Sequence, residues 1–267
     1  MTKQAIVNQY FETSATFWRE IYEHQDIGSQ IYQTRYRTVL EQIDRLRLPR
    51  RARVLEVGCG AGHTTVALAK RGFVVEALDA ARAMADATAE RVERAGLEAN
   101  VRTGVGDIYQ LPYQDGEFAL VVAIGVLPWL DDRDSAVREL ARVVAPGGHV
   151  LLTMDNSRSF SRWLDPSLNP LVLPLKRRLA AVLGRTEARA NFCPNAEIDR
   201  TVRQHHLRKV WSSTVGFGPF TVFNRPLLRQ SLGTRVHVRL QAMADRNLPA
   251  IRGAGSHYLL LATKPDA

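Results

Sequence analysis

Arg53-Val-Leu-Glu-Val-Gly-Cys-Gly-Ala-Gly-His-Thr-Thr-Val-Ala-Leu-Ala-Lys-Arg-Gly-Phe-Val-Val-Glu-Ala-Leu-Asp79 decides the fold. Val54, Leu55 and Val57 suit a strand buried in a parallel sheet. Gly58, Gly60 and Gly62 follow at alternate positions, where glycine permits positive φ and lets backbone amides approach a ligand. Residues 64–70 then read as a helix, with Val66, Ala67 and Ala69 available to the sheet, and Gly72 stops it. Residues 73–78 form a second strand, closed by Asp79. A nucleoside would meet a helix N-terminus at one end of this unit and a carboxylate for its ribose hydroxyls at the other.

Dinucleotide binders place a third glycine at the sixth position of G-x-G-x-x-G. Here that position is His63, which disfavours an NAD-dependent oxidoreductase. The loop has no lysine and no G-K-[ST] follows, so a phosphate-binding P-loop is excluded. Glu56-x-Gly58-x-Gly60-x-Gly62 instead resembles motif I of the class I S-adenosylmethionine (SAM) methyltransferases.

Outward from this unit, strand and helix alternate. Residues 81–95 are rich in helix formers and end at Gly96. Residues 101–104 are a short third strand. Residues 118–124 form a fourth with no polar side chain, the mark of a central strand covered on both faces. A helix over 134–144 is capped by Asp132 or Asp134. Residues 145–148 make a turn before a fifth strand, 149–154. Strands at 207–215 and 257–263 close the domain, with a helix over 227–244 between them. The alternation implies a doubly wound, mostly parallel seven-stranded α/β sheet, with ligands beyond the carboxyl ends of its strands. That edge collects Gly58, Asp79, Asp107, Ile124 and Asp155.

The resemblance extends over residues 50–155. Gly106-Asp107-Ile108 looks like the family's Gly-Asp-hydrophobic segment, whose acid receives the adenine amino group. Residues 118–124 and Pro146-Gly147-Gly148 look like its later motifs. The resemblance implies SAM as cofactor, with S-adenosylhomocysteine (SAH) as product. It implies a cofactor site of Glu56, Gly58, Cys59, Gly60, Gly62, Asp79, Ala80, Met84, Asp107, Ile108 and Ile124. The glycine loop and helix N-terminus would hold the methionine carboxylate.

Two segments lie outside it. Residues 1–49 read as a helical lid: one amphipathic helix over 6–22 with Tyr10, Phe11, Phe17 and Trp18, then a second over 29–46. The rest of the chain, 50–267, is the SAM-binding domain. Residues 155–204 form a substrate-side insertion, with a basic helix over 175–184 carrying Lys176, Arg177 and Arg178. Its bland reading is a solvated face; a membrane-surface contact is the alternative. Tyr10, Tyr32, Trp129 and Asp155 are the candidate substrate-pocket residues. His63, His205, His206, His257 and Asp155 are the candidates for a base, none with a partner visible in the sequence.

Net charge is +9 over 267 residues. With only five lysines the surplus is arginine scattered singly, which disfavours a nucleic-acid partner. No Asn-Pro-Pro-Tyr-like tetrad follows strand four, where Gly125-Val-Leu-Pro128 stands instead. This argues against amino-group methylation of DNA bases or glutamine. Cys59 and Cys193 are isolated, no metal-ligand spacing appears, and a reducing cytoplasm fits. No apolar run approaches the roughly 18 residues of a membrane span. The expected activity is methyl transfer to oxygen or nitrogen of a small molecule. The alternatives are an RNA methyltransferase and a non-catalytic SAM-fold binding protein. Nothing in the sequence fixes the oligomeric state.

Overall fold

A computed structural model describes residues 3–166, 188, 190–223, 225–249 and 251–266. The core begins with β1 (Arg53–Val57), α4 (His63–Lys70), β2 (Val74–Asp79), α5 (Arg82–Arg94), β3 (Val101–Val105) and β4 (Phe118–Ala123). It continues through α6 (Arg133–Val143) and β5 (Val144–Asp155). Then come α7 (Phe160–Leu164), α8 (Asn195–Gln204), β6 (Arg208–Val215), a short hairpin β7–β8 (Thr221–Val222, Arg225–Pro226), α9 (Gln230–Asp245) and β9 (His257–Thr263). Three helices precede the core: α1 (Lys3–Thr13), α2 (Ala15–Glu20) and α3 (Ile27–Arg45).

The seven-stranded sheet runs β3-β2-β1-β4-β5-β9-β6. Strands β3 to β5 are parallel, and β9 inserts antiparallel between β5 and β6. Antiparallel insertion brings the start of β9 to the same edge as the end of β5, pairing His257 with Asp155. Apolar residues of both sheet faces are sealed: Leu55, Val121 and Leu152 against α6 and α8, Val54, Leu120 and Leu151 toward α3 and α4. Burial of Phe118 and of Leu120 to Ala123 is why the strand-four run contains no polar side chain.

Four details differ from the sequence reading. The first helix is split at Ser14, whose hydroxyl donates back to the Tyr10 carbonyl at 2.7 Å while Thr13 does the same to Gln9. Adjacent hydroxyls of this kind compete with the helical backbone. The second helix starts earlier than expected, because Asp26 caps it by accepting from the Ser29 amide at 3.1 Å. Residues 145–148 belong to β5 as an irregular segment, the register jumping from Phe118↔Val144 to Leu120↔His149. The β7–β8 hairpin had no signal in the sequence. Of the two candidate caps of α6, Asp132 is the one used, accepting from the Ser135 amide at 3.0 Å. The expected basic helix at 175–184 lies outside the described residues. Among the described residues no helix is long and apolar enough to cross a membrane.

The N-terminal helices are fastened over the glycine loop. Glu12 accepts from the amides of Arg82 and Ala83 at 2.6 and 3.0 Å, capping α5, whose own N-cap, Ala81, has no side-chain acceptor. His63 Nε2 donates to the Arg19 carbonyl at 3.1 Å, and Arg91 Nη2 donates to the same carbonyl at 3.4 Å.

Candidate active site

A cavity of about 390 Å³ lies at the carboxyl edge of the sheet, beneath α1–α3. Its floor is the glycine loop. Gly58 has φ +71°, and a Cβ there would stand 2.3 Å from Val126 Cγ2, so glycine is required twice over. The loop's amides are largely used by the protein itself: Gly58 and Cys59 donate to the Leu78 carbonyl, Gly62 to Cys59, and Gly60 to Asp79 Oδ2 at 2.9 Å. Asp79 also accepts from the Ala81 amide at 3.0 Å. With roughly four lone-pair sites, the carboxylate keeps acceptor capacity for a ligand.

Glu56 is buried and accepts from the Thr65 hydroxyl at 2.6 Å. Burial, with the Asp79 carboxylate adding to it, pushes its pKa up to about 8. An acid raised on folding holds its proton longer in the native state. Its stabilising share is therefore full below the ordinary value near 4.5 and is lost as pH rises through about 8. Glu56→Gln is expected to flatten the decline in melting temperature across that window. An unchanged slope would show that the carboxyl is ionised throughout.

Asp107 is exposed at the far side, with Oδ1 accepting from the Tyr109 amide at 3.0 Å. Met84 and Ile108 are buried and line the cavity with Asp79 and Asp107. At the opposite end stands a connected set of rings. Trp129 meets Phe11 edge-on at 5.1 Å, Phe11 meets Trp18 at 5.9 Å, and Trp18 meets Tyr32 edge-on at 5.7 Å. Arg35 lies over Tyr32, 4.7 Å from its centroid. It is 6% exposed, its Nε is buried without a partner, and no hydrogen bond or ion pair holds it among the described residues. Arg35 lines the cavity at Gly125, where a Cβ would come within 3.2 Å of its guanidinium.

Residues 55–152 match the family described as a methyltransferase domain. The chain carries a class I SAM methyltransferase domain. Of its relatives, the methyltransferase GfsG of Streptomyces halstedii is 36% identical over 110 residues, 41% of this chain and 40% of that one. Norajmaline N-methyltransferase of Rauvolfia serpentina is 31% identical over 157 residues, 57% of this chain and 50% of that one. The chain thus spans about half the length of the curated relatives it matches. The fold is that of the magnesium protoporphyrin IX methyltransferase from Synechocystis, solved with bound SAH, at TM-score 0.68 and 15% identity over 98% of this chain and 100% of that one.

In this methyltransferase domain Glu56, Gly58, Cys59, Gly60, Asp79, Ala80, Met84, Asp107, Ile108 and Ile124 line the cavity, as do Tyr32, Trp129 and Asp155. Gly62 and Tyr10 do not. Gly62 sits against Thr88, where a Cβ would approach the backbone to 3.0 Å, so it packs α4 on α5. Tyr10 stacks on Trp129 at 5.5 Å instead. On α1 the lining residues are Gln4, Val7, Asn8 and Phe11, the i, i+3, i+4, i+7 stripe, and Tyr10 falls one position off it. His63 is held neutral, its pKa lowered to about 4 by burial and by Arg91, while its ring fastens the lid. His205 pairs with Asp134 at the surface, away from the cavity.

Sequence reasoning missed Arg35. A signal existed: Ile31, Arg35, Val39 and Ile43 recur every fourth residue and all are buried, so a charge interrupts an apolar stripe.

Proposed function

We propose that the protein transfers a methyl group from SAM to an oxygen or nitrogen of a small-molecule acceptor. The observation that carries this reading is a cavity that joins the Asp79–Asp107 edge to an aromatic wall made of Trp129 and the lid's Phe11, Trp18 and Tyr32. In this reading residues 1–49 are the lid, 50–267 the SAM-binding domain, and 155–204 the substrate-side insertion.

Asp79 accepts from the ribose hydroxyls, a charge-assisted arrangement. Asp107 accepts from the adenine amino group through its free Oδ2, and the Ile108 amide donates to the ring. Met84 packs on the adenine face. Arg35 takes the methionine carboxylate, a role the loop amides are poorly placed to fill because they are bonded within the protein. Ile124 and the turn through Trp129 then border the sulfonium.

The sulfonium methyl is already activated, so catalysis is largely in-line placement of the nucleophile. The Trp129–Phe11–Trp18–Tyr32 wall favours an acceptor with a flat, apolar body. Norajmaline N-methyltransferase, one of the relatives, is named for methylation of a small molecule. The reading is tested by incubating the protein with isotopically labelled SAM and a pool of aromatic hydroxyl and amine compounds. A labelled methyl group should appear on a pool member by mass spectrometry. Labelling of RNA alone, with binding that falls steeply as salt rises, would replace the small-molecule reading by the RNA one.

A further inference from the structure

Asp155 and His257 are 102 residues apart in sequence, yet their side chains meet. Asp155 ends β5 and His257 begins β9, directly opposite each other in the antiparallel register. His257 Nδ1 lies 3.1 Å from Asp155 Oδ1, and both residues line the cavity. A carboxylate can only accept, so Nδ1 carries the proton and donates it. When the ring carries only that proton its lone pair is on Nε2, which has no hydrogen-bond partner among the described residues.

From this geometry, and resting on the methyl-transfer reading above, we propose that His257 is a catalytic base that deprotonates a hydroxyl acceptor, with Asp155 as the residue that positions it. Tyr32 stands 5.6 Å from the His257 ring and would hold the acceptor's body against it. The acceptor class is therefore a phenol or other hydroxyl, a nucleophile that is weak until it loses its proton. As the acceptor O–H gives its proton to Nε2, an oxygen lone pair forms the new bond to the sulfonium methyl carbon. The carbon–sulfur bond breaks with its electron pair going to sulfur, leaving a neutral thioether. The imidazolium is stabilised by Asp155 and later returns the proton to water. A base of this kind contributes typically about 10²–10⁴ in rate.

The groups facing His257 come from three elements. β5 contributes Asp155, and α3 contributes Tyr32 with the Arg35 guanidinium over its ring. The partner across the other edge of β9 is the apolar Val215 of β6.

The test compares wild type, His257→Asn and Asp155→Asn on a panel of phenols and the matching aryl thiols. Aryl thiols are largely ionised at pH 8 and need no base. His257→Asn should lower kcat for phenols by about 10²–10⁴. It should leave aryl thiol methylation and SAM affinity within about threefold of wild type, the difference expected of a residue that acts only on the proton. The deficit with phenols should shrink as pH approaches the phenol's own ionisation. Asp155→Asn should reproduce the phenol-selective loss, because an amide can donate to Nδ1 and so favours the Nε2–H tautomer. ¹⁵N NMR of the SAH-bound protein reads that tautomer with no acceptor present: Nδ1–H is expected for wild type, and Nε2–H for Asp155→Asn. Equal losses with phenols and thiols, undiminished phenol turnover in His257→Asn, or an Nε2–H tautomer in wild type would each overturn the proposal. Failure of wild type to bind SAM would defeat the methyltransferase reading instead, so the two failures are distinguishable.

Discussion

Arg35→Met is expected to raise the melting temperature of the ligand-free protein and, at the same time, to lower SAM affinity by roughly 10–150-fold. The second figure corresponds to the ~1.5–3 kcal/mol of a hydrogen bond to a charged group. The first follows from the competition at this side chain. Arg35 is buried, and its visible compensation is the Tyr32 ring at 4.7 Å. A desolvated cation–π contact is worth about 2 kcal/mol, whereas removing an ion from water costs several kcal/mol even after relaxation. Desolvation wins, so an apolar side chain of similar length relieves that cost. In the proposed reading the incoming methionine carboxylate offsets this cost. 5′-Methylthioadenosine, which lacks the amino-acid half of SAM, should bind wild type and variant equally. Calorimetry and thermal melts with both ligands check this. Wild-type SAM affinity in Arg35→Met, or an equal loss for both ligands, would remove Arg35 from the methionine subsite.

Asp79→Ala should weaken SAM by at least the same ~1.5–3 kcal/mol, and Asp79→Asn by less. The carboxylate has two duties. It accepts from the Gly60 and Ala81 amides, which fixes the glycine loop against the start of α5, and in the proposed reading it also accepts from the ribose hydroxyls. Alanine removes both. Asparagine keeps one acceptor oxygen but loses the charge. Burial raises the Asp79 pKa above the ordinary aspartate value, so acidification neutralises it sooner and SAM affinity should fall with pH accordingly. Calorimetric titration of the three proteins tests the ladder; alanine and wild type binding alike would contradict it.

The parts of the site that are contiguous in the chain are legible in the sequence alone. Glu56 to Gly62, Asp79 and Gly106 to Ile108 each sit where a strand ends, and the parallel topology sends those ends to one edge. What the sequence conceals depends on helix rotation and on long-range pairing. A hydroxyl favours Tyr10 over Phe11 as a pocket residue, yet one position on a helix is about 100° of rotation, enough to take Tyr10 off the cavity. Arg35 is inconspicuous because arginine is common on helix faces, although its place in an apolar stripe marks it. His257 reads as a lone histidine. Its partner arrives only because β9 inserts antiparallel beside β5, and no local pattern announces that register.

Whether this cavity binds SAM and not a dinucleotide decides everything above it. Parallel calorimetric titration of the intact protein with SAM and with NAD tests that point most directly. SAM should bind with one-site stoichiometry, and NAD should produce no heat beyond dilution. Tight NAD binding with no SAM binding would contradict the assignment.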